Sequence, residues 1–123
     1  MVEKLKIRGQ RPLKGEVSIG GAKNAVLKLM AASLLNKGVC TIYNVPDLTD
    51  VNIMLNVLSQ LGAKTTYDKK EKYVIIDSTN LDNVVAKYEL VGKMRASFIV
   101  LGALLGRCKE AVVALPGGCA IGE

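Results

Sequence analysis

The stretch KGEVSIGGAKNAVLKLMAASLLNKGVCTIYNVP, residues 14–46, decides the fold class. Val17 and Ile19 alternate with Glu16 and Ser18, so Lys14–Ile19 reads as a strand. Gly20-Gly21 breaks it. From Ala22 to Asn36 the apolar residues Ala25, Val26, Leu29, Met30 and Leu34 follow a helical spacing. Apolar residues run nearly all round this helix, which predicts burial on several sides. Asn36-Lys37-Gly38 is a helix stop. Val39–Val45 reads as a strand ended by Pro46. Strand, helix and strand in succession make an α/β fold.

Upstream, Glu3–Arg8 alternates as a short strand, and Pro12 interrupts. Downstream, Asp47 or Thr49 is placed to cap a helix. That helix carries Val51, Met54, Leu55, Leu58 and Leu61 at spacings of three and four, with Gly62 at its C-terminal end. Ala63–Tyr67 and Lys72–Asp77 flank the polar turn Asp68-Lys69-Lys70-Glu71 and predict a hairpin. The unit is β-α-β-α-β-β. At an offset of 70 residues, Lys23 aligns with Lys93, Leu34-Leu35 with Leu104-Leu105 and Pro46 with Pro116. A second apolar helix over Gly92–Gly106 and a strand over Lys109–Leu115 are expected from that repeat. The domain reading is a strand region at 1–13, a first unit at 14–78 and a partial second unit at 79–123. About one and a half units are present, which is the pattern of a truncated chain.

Composition narrows the chemistry. The 123 residues are 50% hydrophobic and 23% charged, enough apolar material for one core. Histidine is absent, which excludes a Ser-His-Asp triad, a Cys-His dyad and imidazole-bound zinc. Cys40, Cys108 and Cys119 lie 68 and 11 positions apart, with no CxxC pair. The odd count argues for a reducing compartment. The N-terminus carries Glu3, Lys4, Lys6, Arg8 and Arg11, which leaves no room for a signal-peptide apolar core. The apolar run Ala96–Gly106 is shorter than the roughly 20 residues of a membrane span. A soluble cytoplasmic protein with no membrane partner is expected. The net charge of +6 favours anionic partners. The few aromatics (Tyr43, Tyr67, Tyr73, Tyr88, Phe98) are scattered, so no stacking platform for nucleic acid is visible.

Three places could carry chemistry. Gly20-Gly21-Ala22-Lys23-Asn24 joins a strand to a helix. Glycines permit close approach, the helix start offers free N–H groups, and Lys23 adds a charge. It matches neither a Walker A loop nor GxGxxG, and taken alone the feature is better explained as an ordinary strand-to-helix turn with a solvated lysine. Arg95 lies between Met94 and Ala96 near the start of an apolar helix. Its planar fork suits phosphate or carboxylate, or it reaches water past its neighbours. Cys119 follows Pro116-Gly117-Gly118 and is the cysteine placed to be most accessible. Nearby cations would make it a reactive thiolate, and without them it is an inert loop cysteine.

Taken together, these stretches are more specific. Gly21-Ala22-Lys23-Asn24-Ala25, Asn44-Val45-Pro46-Asp47, Leu58-Ser59-Gln60-Leu61-Gly62-Ala63, Met94-Arg95-Ala96-Ser97 and Leu115-Pro116-Gly117-Gly118-Cys119-Ala120-Ile121-Gly122 occur in that order. The chain resembles the bacterial UDP-N-acetylglucosamine 1-carboxyvinyltransferases, a family of enolpyruvyl transferases. The resemblance implies an inside-out α/β barrel of repeated β-α-β-α-β-β units in two lobes, with the site between them. It implies transfer of the enolpyruvyl group from phosphoenolpyruvate to the 3′-hydroxyl of UDP-N-acetylglucosamine, with phosphate released, at the start of peptidoglycan synthesis.

By the same resemblance Lys23 and Asn24 hold phosphoenolpyruvate, and Lys23 stabilises charge as the intermediate forms. Arg95 lies on the sugar-nucleotide side. Cys119 is implied to be the proton donor and the target of fosfomycin. No metal or other cofactor is implied, and no nucleic-acid partner. Family members are several times longer, and their acidic base and further arginines fall beyond Glu123. The strand Glu3–Arg8 packs in the family on the other lobe. The isolated chain is therefore expected to lack full activity, and its uncovered edges leave a route to self-association. A non-catalytic anion- or sugar-nucleotide-binding module on the same scaffold is the alternative.

Overall fold

The computed structural model describes residues 3–86 and 98–114. Its elements are helix α1 (Lys23–Ala32) running into a 3-10 turn (Ser33–Leu35), strand β1 (Val39–Tyr43), helix α2 (Thr49–Gln60), strands β2 (Lys64–Asp68) and β3 (Tyr73–Asp77), the short strand β4 (Val85–Ala86), helix α3 (Val100–Cys108) and the short strand β5 (Val112–Val113).

The hairpin forms where the sequence predicts it. Asp68 makes its turn, its Oδ1 accepting from the backbone N–H groups of Lys70 at 3.0 Å and Glu71 at 2.9 Å. Strand β3 is central in the order β1-β3-β2, antiparallel to both neighbours. Period-two alternation then sorts the side chains. Ile76 lies between Cys40 and Thr65, and Val74 between Ile42 and Tyr67. Val74 and Ile76 are fully buried on this face, whereas Tyr43 and Val39 on the other face are exposed. Helices α1 and α2 pack on each other and against the sheet, and Leu27, Met30, Leu34, Met54, Leu58 and Leu61 fill the core between them.

Helix α2 buries Val51, Met54, Leu55, Val57 and Leu58, and Leu61 at its C-cap is buried too, so the predicted stripe is present with Val57 added. Its cap differs from expectation. Leu48 is the N-cap, in an extended conformation, and no side chain caps the helix. Asp47 pairs instead with Lys69 across the hairpin at 2.9 Å, and Thr49 is already helical. The C-terminal end matches the glycine signal. Gly62 has φ +101°, its N–H donates to the Ser59 carbonyl at 3.1 Å, and the Ala63 N–H reaches the Leu58 carbonyl at 3.1 Å. This is a Schellman closure.

Two strand expectations are corrected. Glu3–Arg8 and Lys14–Ile19 form no strand. Leu5, Ile7, Leu13, Val17 and Ile19 are all at least 80% exposed. An alternating segment becomes a strand only beside a partner, and no described strand lies alongside these residues. Helix α1 is also less enclosed than its composition predicts. Val26, Leu27, Met30 and Ala31 are buried, but Leu29 is 54% exposed and Ala25 and Ala32 face outward.

Beyond the first unit, α3 ends two residues later than predicted, at Cys108, where Lys109 takes the left-handed conformation at φ +61°. Within the described part of the predicted Lys109–Leu115, strand β5 covers Val112–Val113 and pairs in parallel with β4, which the sequence reading lacks. The start of the predicted Gly92–Gly106 helix and the Pro116 loop lie outside the described residues. No helix among the described residues is long and apolar enough to cross a membrane.

Candidate functional site

The candidate site is the corner where α1 and α2 begin. Gly21 makes this corner possible. A Cβ built on Gly21 would overlap the Asn44 carbonyl oxygen and sit 3.1 Å from the Asn44 carbonyl carbon and 3.2 Å from Pro46 Cδ. Only a residue without a side chain lets the two loops touch. Asn44 turns the chain after β1 at φ +56°, a conformation that asparagine tolerates.

The loop after Asn44 is pinned to the hairpin. The Val45 N–H donates to the Lys72 carbonyl at 2.8 Å, and the Tyr67 hydroxyl donates to the Val45 carbonyl at 3.2 Å. Burial pushes the Tyr67 phenol above its usual pKa. The Asp47 carboxylate adds to the rise, and the Lys69 ammonium opposes it. This rigid loop delivers the start of α2 beside the start of α1.

Ala22 is the N-cap of α1, extended at φ −82° and ψ 124°, with no side-chain cap. The first intrahelical donor is the Val26 N–H, to the Ala22 carbonyl at 3.0 Å. The N–H groups of Lys23, Asn24 and Ala25 precede it, at the positive end of the helix dipole. Lys23 and Asn24 are both exposed here. The Lys23 ammonium lies 2.9 Å from Asp50 Oδ2 in the first turn of α2. Lysine, asparagine, a carboxylate and two helix starts without side-chain caps thus share one corner. Arg95 and Cys119, the other two sequence candidates, lie outside the described residues. Cys40 and Cys108 are half-buried free thiols.

Sequence reading missed Asp50, whose link to Lys23 is made only by the fold. It also missed Arg107. This side chain donates from Nη1 to the carbonyls of Leu34 at 3.0 Å and Asn36 at 2.8 Å, and from Nη2 to Thr79 at 3.1 Å. Buried Ser78 joins the cluster, its hydroxyl 2.6 Å from the Asn36 carbonyl. A basic residue in a last helical turn suggests contact with its own helix's final carbonyls, whereas the partners here lie on other segments.

Comparison with known proteins gives these features a lineage. A family model described as EPSP synthase (3-phosphoshikimate 1-carboxyvinyltransferase) matches residues 7–123. The chain belongs to this family. It is 57% identical over 121 residues to a UDP-N-acetylglucosamine 1-carboxyvinyltransferase of Dichelobacter nodosus, covering 98% of this chain and 29% of the relative. It is 51% identical over 123 residues to UDP-N-acetylglucosamine 1-carboxyvinyltransferase 1 of Staphylococcus aureus strain N315, covering 99% of this chain and again 29% of the relative. Among solved structures it is similar to the enolpyruvyl transferase NikO from Streptomyces tendae, with TM-score 0.68 and 26% identity over 76% of this chain and 21% of that one. This member of the EPSP synthase family is therefore a mixed α/β protein with a neighbour of enolpyruvyl transferase fold, and it spans 29% of the length of the curated relatives.

Proposed function

We propose that this chain carries part of an enolpyruvyl transfer site acting on phosphoenolpyruvate and UDP-N-acetylglucosamine. The observation that carries the reading is the 57% identity to a UDP-N-acetylglucosamine 1-carboxyvinyltransferase over 98% of the chain. The exposed Lys23 at an uncapped helix start gives it a physical basis.

In this reading the 3′-hydroxyl of the sugar gives its proton to an acidic base of the full enzyme as its oxygen attacks C2 of phosphoenolpyruvate, while an acid delivers a proton to the methylene carbon. A tetrahedral ketal results. Loss of a proton from the new methyl group and departure of phosphate then leave the enol ether. The donor brings a phosphate and a carboxylate, and both need cations and N–H donors. Lys23 and Asn24 meet the donor at the start of α1. Arg95 serves the sugar nucleotide, and Cys119 supplies the proton. These steps call on no metal or cofactor. In this reading the full site belongs to an inside-out α/β barrel of two lobes, to which this chain contributes one part.

Titration of the isotope-labelled chain with phosphoenolpyruvate, followed by NMR, tests this. The amides of residues 21–26 and the Lys23 ammonium signal should shift together. Lys23→Ala should weaken binding about tenfold, the loss of one charge-assisted contact worth about 1.4 kcal/mol. Shifts confined to other parts of a folded chain would contradict the proposal.

A further inference from the structure

We propose that Asp50 is a positioning residue, fixing the Lys23 ammonium where the corner selects phosphoenolpyruvate over a bare phosphate. This inference rests on the functional reading above.

Asp50 is itself held by rigid parts. It stands in the first turn of α2, where its charge complements the helix dipole. The loop that leads to it is tied to the hairpin through Val45 and packed on Gly21 through Asn44 and Pro46. Asn52 adds a tie, its Nδ2 donating to the Leu48 carbonyl at 3.2 Å. Lys23 has the opposite character, a charge on a flexible four-carbon stem with 49% of its side chain exposed. The 2.9 Å contact to Asp50, whose side chain is 30% exposed, gives that stem one place to be.

A purely structural role explains the pair poorly. An exposed ion pair contributes about 0–1 kcal/mol. The two helices are already joined by their buried apolar faces and by the pinned loop. A carboxylate beside an anion site also weakens general anion attraction. Its presence makes sense where geometry counts for more than charge. A loose lysine attracts any phosphate, whereas a fixed one favours the ligand whose phosphate and carboxylate fit around it.

The test uses the 123-residue chain, inorganic phosphate and phosphoenolpyruvate, with NMR titration and thermal melts. For Asp50→Asn, phosphate should bind as well as before or better, while the preference for phosphoenolpyruvate should fall about threefold or more. The melting temperature should stay within about 4 °C. Asp50→Glu, which keeps the charge, should recover part of the preference. An unchanged preference in a folded Asp50→Asn variant would overturn the role of Asp50 and leave the functional reading intact. A folded wild-type chain whose corner signals ignore phosphoenolpyruvate would instead overturn that reading, and this inference with it.

Discussion

Gly21→Ala should destabilise the chain by about 3 kcal/mol or more, at the upper end of overpacking costs. The reason is local and steric. The added methyl carbon would occupy the Asn44 carbonyl oxygen's position, with Pro46 Cδ only 3.2 Å away. Neither neighbour can yield cheaply. Asn44 sits at φ +56° in a tight turn, and Val45 beside it is held by the Lys72 carbonyl and the Tyr67 hydroxyl. Moving the loop would break those bonds and part the starts of α1 and α2. Gly20→Ala is the internal control, because a Cβ there meets nothing within 4 Å. Chemical denaturation of the two variants should separate them clearly. A Gly21→Ala loss below about 1 kcal/mol would mean the two loops are not locked together.

Arg107→Ala should cost about 2 kcal/mol, because three carbonyls lose a charged donor and only part of the site can be rehydrated. Leu34 and Asn36 lie at the end of the 3-10 turn, Thr79 lies just past β3, and Arg107 itself is on α3. One guanidinium therefore ties the later elements to the first unit. The packing of Leu35 against Gly106 lies beside it, with a Gly106 Cβ position 3.0 Å from Leu35 Cδ2. Arg107→Lys should not restore stability, since lysine lacks the planar fork that sets Nη1 at the Leu34 and Asn36 carbonyls and Nη2 at Thr79. Denaturation midpoints for both variants test this. A lysine variant as stable as wild type would show that charge rather than the planar fork matters.

Local elements were the legible part of this fold. Helix α2 and the β2–β3 hairpin follow from spacing and turn chemistry contained within a dozen residues, and they appear within about two residues of expectation. Non-local features were not legible. The alternation in Glu3–Arg8 and Lys14–Ile19 is a strand pattern, but pairing depends on a partner that the described residues do not supply. Strand β4 escaped because two residues carry no periodicity, and it exists only because β5 pairs with it. Asp47 looked like a cap until Lys69, across the hairpin, competed for its carboxylate.

The same division holds at the candidate site. Lys23 and Asn24 were visible because a glycine pair before an apolar helix marks an open helix start. Asp50 and Arg107 were invisible in those roles because each acts on a segment that only folding brings near. Asp77 adds a smaller instance. Its carboxyl is held below the usual range by the Thr79 hydroxyl and N–H, a local turn that residue identities alone do not guarantee.

The most direct measurement replaces the matched 121-residue stretch of the Dichelobacter nodosus relative with this chain. Phosphate release is then followed with phosphoenolpyruvate and UDP-N-acetylglucosamine present. The 57% identity over that stretch makes the graft reasonable. The account predicts phosphate release that requires both substrates and falls at least a hundredfold on Lys23→Ala or Cys119→Ala, as expected when a charge-stabilising or proton-donating group is removed. A folded chimera that binds both substrates yet releases no phosphate, or one whose activity survives Lys23→Ala, would contradict it.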